Sequence, residues 1–191
     1  MFLKEPSTPE AAEFLAKELA QSGYVMNLER AWAWRPDVAE AFVELRKRLI
    51  GNSSLSPREV ALLVCASVSA LGDSYCSLAW GAKLAKLGDA ALAAKVLSGG
   101  NAPGLSAREE ALRRWAGQVV ADPNATRSAD VDALRAAGLS DKEIFEATAF
   151  IAFRVAFSTV NDALGASPDA QLAAEAPAEV RSAVTYGRHA R

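Results

Sequence analysis

The chain has 191 residues, 21 Lys and Arg against 23 Asp and Glu, a net charge of −2, and 51% apolar residues. That length suits one domain with a sizeable interior, and the charge balance offers no cationic surface to a nucleic acid or an anionic membrane. Two Cys and no secretory pattern over residues 1–6 point to a reducing, cytoplasmic setting without a disulfide framework.

Periodicity is helical nearly throughout, and no run of alternating β-branched residues reads as a strand. Caps and breakers predict an all-α chain, 1–191 as a single all-helical domain. The predicted helices span 9–22, 36–50, 57–71, 74–87, 89–98, 106–121, 128–137, 141–164 and 169–184. Pro9 and Pro36 suit first-turn positions, and Gly51, Gly72, Gly88, Gly138 and Gly165 suit exits. A Leu-Ser-x-basic-Glu motif recurs at Leu55-Ser56-Pro57-Arg58-Glu59, Leu105-Ser106-Ala107-Arg108-Glu109 and Leu139-Ser140-Asp141-Lys142-Glu143. Each is a capping box, in which Ser accepts from the amide of the Glu and the Glu reaches back to the Ser amide. Residues 98–104 read as a flexible joint, and the tail with Gly187 and the lone His189 as a fraying end.

Two helices read as buried, 60–71 and 144–164. The second carries Glu146, Arg154, Asn161 and Asp162, which exclude a membrane span. So much apolar surface on a short chain predicts a homo-oligomer with a subunit across that helix.

The chemistry-bearing residues centre on Cys76. A thiol in the first turn of a helix faces unpaired N–H groups and the positive dipole end, which favours thiolate. A dithiol centre would place a second Cys three residues earlier, where Asp73 stands, and a relay His could follow one turn later, where Trp80 stands. Asp73 also suits the N-cap of that helix, and its charge opposes the dipole. Cys65 sits among Leu62, Leu63, Val64 and Val68 and reads as a core cysteine. Glu59 is either a general base or only a capping-box residue. Arg154, in the most apolar helix, needs a carboxylate partner if buried, with Asp73, Glu59 and Asp162 as candidates, or else snorkels to the helix edge. Trp32, Trp34 and Trp80 read as core, interface or pocket wall, and Asn161 and Asp162 could bound the same cleft. One terminal His and two separated Cys assemble no zinc site, and no phosphate loop or dinucleotide fingerprint appears, so no metal and no cofactor is expected.

Several segments resemble one family in order and spacing. Gly23-Tyr24-Val25-Met26-Asn27-Leu28, the Leu55–Glu59 motif, Tyr75-Cys76, Leu84-Ala85-Lys86-Leu87-Gly88, the run 130–141 and Asn161-Asp162-Ala163-Leu164-Gly165 resemble the carboxymuconolactone decarboxylase and alkylhydroperoxidase-like proteins, over residues 23–166. The resemblance implies an alkylhydroperoxidase-like helical bundle in dimers, trimers or hexamers. For the peroxidase branch it implies a Cys-x-x-Cys…His centre, with the second Cys attacking peroxide and an upstream Glu and the His relaying protons. On that pattern Cys76 matches the attacking thiol, Asp73 occupies the resolving position, Trp80 the histidine position, and Glu59 lies near the upstream base.

The leading expectation is therefore a peroxidase-related oxidoreductase with Cys76 as a single reactive thiol, reducing a small hydroperoxide with an external thiol reductant. One alternative is a decarboxylase- or lactone-type enzyme using Glu59, Asp73 and Arg154 on a small carboxylate. The other is a non-catalytic oligomer whose binding residues Trp80, Tyr75 and Arg154 line a cleft for an apolar ligand.

Overall fold

Ser56, Ser106 and Ser140 open helices as their motifs predict. Each hydroxyl accepts from the amide of the Glu three residues on, and each Glu carboxylate accepts from the amide of its Ser. The computed structural model describes all 191 residues as eleven α-helices and one 3₁₀ turn, with no strand. In chain order these are α1 (Pro9–Ser22), α2 (Asn27–Trp32), α3 (Pro36–Gly51), α4 (Pro57–Leu71), α5 (Ser74–Leu87), α6 (Ala90–Leu97), α7 (Ala107–Ala121), the 3₁₀ turn (Pro123–Ala125), α8 (Ser128–Ala136), α9 (Asp141–Ala163), α10 (Ala170–Glu175) and α11 (Ala178–Ala183).

Two elements depart from expectation. The six-residue α2 is too short to show a periodicity of its own. The helix expected over 169–184 is two, because Pro177 lacks an amide hydrogen and disfavours helical backbone at Ala176, which is extended.

The three capping boxes also interlock, which their spacing along the chain does not reveal. Arg58 of the first pairs with Glu109 of the second at 2.6 Å, and Arg108 of the second pairs with Glu59 of the first and Glu143 of the third. The N-termini of α4, α7 and α9 therefore lie together at one end of the bundle. Three carboxylates there offset three positive dipole ends, and two guanidinium groups keep those carboxylates from repelling one another.

Helix α4 is the axis of the fold. From Glu59 to Val68 every residue is buried, walled by α5, α6, α7 and α9 of the same chain. Its apolar surface is thus satisfied without a second subunit. A main core of 29 buried residues surrounds it, and a smaller one unites Ala11, Phe14, Trp32, Ala33 and Ala39 from the first three helices. Phe42 and Phe157 pack against both. No helix is long and apolar enough to cross a membrane.

Gly72 closes α4 in the left-handed conformation, φ 74°, and α5 starts two residues later, so α5 turns back along α4. The C-terminal tail does not fray. Ser74 Oγ accepts from the Arg188 amide at 2.9 Å and donates to the Arg188 carbonyl at 2.7 Å. Tyr186 donates to the Leu97 carbonyl at 3.1 Å and shares a hydrogen bond with Ser77. Gly187 makes this possible: its φ is 71°, and a Cβ there would meet the Gly72 carbonyl oxygen at 2.6 Å.

Arg108 holds the Glu143 carboxyl at about 2, and with the capping amide holds Glu59 below its ordinary value against the upward pull of burial. Carboxyls depressed in the folded state stabilise it fully above their unfolded value of about 4.3 and stop doing so as pH falls toward 2. Arg108→Ala should cost about 2 kcal/mol at pH 7, much of it from leaving Glu59 buried without its guanidinium partner. Urea denaturation should show this gap between wild type and variant narrowing from pH 5 to pH 2.5.

Candidate active site around Cys76

Asp73 is the N-cap of α5, its Oδ1 accepting from the Cys76 amide at 2.9 Å. This fixes Cys76 in the first helical turn, as its sequence context predicts. Facing it, α9 presents Arg154, Ser158 and Asn161, spaced four and three residues apart and so on one stripe of the helix. Arg154 Nη2 donates to Cys76 Sγ at 2.8 Å, and the guanidinium carbon lies 4.9 Å from the Phe157 ring centroid and 5.8 Å from that of Trp80.

Cys76 is not the exposed, readily ionised thiol that a helix start suggests. It is 3% exposed, and its pKa is pushed up to about 12, chiefly by burial and further by the Asp73 carboxylate, while Arg154 pulls the other way. Cys65 is fully buried and raised by burial too, as its core reading implies.

Arg154 is buried at 2% exposure and forms no ion pair. None of the three expected carboxylates meets it. Glu59 is bound to Arg108 at the far end of α4, 12 residues or about 18 Å from Leu71. Asp73 is occupied as a cap. Asp162 lies beside Arg188 and Asp73, its pKa raised to about 7 by burial and by the Asp73 charge. Glu59 therefore serves as a structural cap and not as a base for Cys76, and the set Glu59–Asp73–Arg154 is not assembled. The buried side-chain polar atoms without a hydrogen-bond partner are Asp73 Oδ2, Arg154 Nε, Ser158 Oγ and Asn161 Nδ2. Each belongs to the Asp73 cap or to the α9 stripe.

Cys76 and Arg154 form part of the wall of a cleft of about 730 Å³ where the two cores meet. Trp80, Tyr75, Trp32, Phe42, Phe153 and Phe157 supply aromatic wall, with Met26, Leu28 and Leu172 beside them. Trp80 is half-buried, with Lys83 Nζ 4.4 Å above its ring. The Tyr75 hydroxyl is committed to Asp169, whose other oxygen accepts from the Asn27 amide. Trp32 stacks on Phe157 and donates to Asn161 Oδ1 at 2.8 Å, so Asn161 supports the cleft wall from behind. Trp34 is no pocket residue: it is half-exposed and donates to the Lys4 carbonyl. Asp162 lies outside the cleft as well.

The sequence reading missed Glu29. It lines the cleft and is buried, with Oε2 accepting from the Met26 amide at 3.0 Å. Burial and the neighbouring Glu18 carboxyl raise its pKa to about 8, so it is largely uncharged at neutral pH. The usable signal was a Glu three residues after Met26 in front of Ala31-Trp32, the acidic half of a helix start. Arg46, at the rim on α3, was also missed; partial desolvation and the Arg154 charge lower its pKa.

No protein-family model matches the sequence, and no curated protein does. Solved structures do. An uncharacterized peroxidase-related protein from Silicibacter sp. TM1040 superimposes with a TM-score of 0.78 at 24% identity, over 90% of this chain and 93% of the other. A second, described as an alkylhydroperoxidase AhpD core from an uncharacterized peroxidase-related protein of Ralstonia eutropha JMP134, gives 0.75 at 23%, with the same coverage. The chain thus has the alkylhydroperoxidase-like fold that its motifs resemble.

A thiol with a pKa near 12 has a definite signature. Alkylation of Cys76 in the native protein should be slow and rise about tenfold per pH unit from 7 to 9.5, without levelling near 8.5. Arg154→Met should slow it further, and Cys65 should stay unlabelled until unfolding. Peptide mapping after brief iodoacetamide treatment reads all three.

Proposed function

We propose that this chain is a peroxidase-related, single-thiol protein that reduces a small hydroperoxide with an apolar body. The observation that carries the reading is the Arg154–Cys76 contact, 2.8 Å long, on the wall of an aromatic cleft. An attacking sulfur must gather negative charge, and a guanidinium already aimed at it, inside a water-poor wall, stabilises that charge without reorganising. Arg154 thereby supplies, from α9, the charge stabilisation that a His would otherwise give.

In the proposed step the Cys76 sulfur attacks the outer peroxide oxygen and the O–O bond breaks. The alcohol leaves with the thiol proton, and Cys76 becomes a sulfenic acid. Asp73 cannot resolve it, having no sulfur, and Cys65 lies inside the core. A small external thiol entering the cleft forms a mixed disulfide with loss of water, and a second thiol releases Cys76. Burial makes the thiolate scarce, so turnover is slow at neutral pH and quickens as pH rises.

Treatment with cumene hydroperoxide followed by a dimedone-type trap should label Cys76 alone, and Cys76→Ser should lose both labelling and thiol-dependent peroxide consumption. Absence of a trapped sulfenic acid in the wild type at pH 9 would rule out this function.

The reading includes a homo-oligomer. Phe145, Ala152 and Ala156 form an exposed apolar stripe along α9, and Val43 and Leu45 are exposed on α3. Light scattering should give a dimer or larger at micromolar concentration, and Phe145→Glu should shift it toward monomer.

A further inference from the structure

We infer that the cleft is an anion site, built to take an apolar monocarboxylate whose head group lies on Arg154. The inference rests on the same reading of the cleft as a ligand site and needs none of the thiol chemistry.

The unbalanced charge is the starting point. A guanidinium stays protonated at any pH the protein meets, and a buried one without an anion is strongly unfavourable. Arg154 makes a single hydrogen bond, to a thiol that is itself neutral, and its Nε is buried without a partner. The aromatic faces of Phe157 and Trp80 offset part of the charge, as cation–π contacts do, but carry no formal charge.

None of the carboxylates lining the cleft, Glu18, Glu29, Glu40 and Glu44, forms an ion pair with Arg154 or Arg46. Asp73 caps α5 with Oδ1 and has its Oδ2 buried without a partner, yet it forms no ion pair with Arg154. Glu40 pairs with Lys17, and Glu44 with Arg48, at the rim. Burial and the Glu18 carboxyl beside it raise the Glu29 pKa to about 8, so at neutral pH Glu29 adds little negative charge. On the positive side Arg46 has no ion-pair partner, and Arg154 acts on it as a like charge. Arg154, Arg46 and Lys47, none of them in an ion pair, thus face one aromatic cavity.

The walls select the ligand class. Phe153, Phe157, Trp80 and Leu172 favour an apolar body, and about 730 Å³ accommodates an aryl or medium-chain acid. A phosphate would bring more oxygens than these apolar walls have donors for, whereas a carboxylate matches one guanidinium. With Arg154 touching Cys76 Sγ, an anion on the guanidinium lies against the thiol and shields it.

Isothermal titration of the full chain at pH 7 and low salt tests this with phenylacetate and octanoate beside phenylacetamide and 1-octanol. Each acid should bind at least about tenfold tighter than its neutral counterpart, and saturating acid should slow Cys76 alkylation. Arg154→Met should abolish the preference for the acid. Arg46→Ser, at the solvent-exposed rim, should weaken acid binding about two- to fivefold and keeps the test decisive if the Arg154 variant fails to fold. Equal affinity for acid and neutral probe, or acid binding indifferent to Arg46→Ser and Arg154→Met, would overturn the inference. So would unchanged alkylation at saturating acid. A trapped Cys76 sulfenic acid without acid binding would remove only this inference; acid binding without sulfenic acid would remove only the peroxidase reading.

Discussion

The interlocked caps of α4, α7 and α9 set the register on which the rest of the molecule depends. Because Arg58 and Arg108 tie these helix starts together, distances along the helices become comparable. Helix α4 has 15 residues and spans about 22 Å, and Arg154 lies 13 residues beyond Asp141, about 20 Å along α9. Arg154 therefore comes level with the far end of α4, where Gly72 reverses the chain and α5 presents Cys76. A network at one end of the bundle thus aligns a contact at the other.

At that contact two effects compete for Cys76, and their sizes decide the outcome. A helix N-terminus supplies typically 0.3–1 kcal/mol toward an anion, reaching about 2 in partly buried settings. Raising the thiol to about 12 corresponds to roughly 4 kcal/mol against ionisation, with burial as the main cause. Desolvation wins, even with Arg154 in contact. The guanidinium therefore opposes the effect of burial on the thiol without overcoming it.

Asp73 and Trp80 occupy the positions at which the resembled pattern would place a second Cys and a His. Asp73 now starts α5 and lies under the tail, whose Ser74–Arg188 and Ser77–Tyr186 bonds cover that helix end. Trp80 forms cleft wall beneath Lys83. Both side chains serve the packing of this end of the bundle, beside the α9 stripe of Arg154, Ser158 and Asn161.

How much of this was legible in the sequence follows from the range of each interaction. Local rules determined the all-helical class, the three capping boxes, the Gly72 reversal and the Asp73 cap, because a cap or a left-handed glycine depends on residues within about five positions. The core reading of Cys65 followed equally from its apolar neighbours. Only the tertiary structure decided that the tail is pinned, that Glu59 is bound to Arg108 rather than poised near Cys76, and that Arg154 is buried without a carboxylate. It also brought Glu29 of α2 and Phe42 and Arg46 of α3 into the cleft. These outcomes rest on contacts between residues tens of positions apart, and burial, which governs the Cys76 and Glu29 protons, is a property of the whole packed chain and not of any local run.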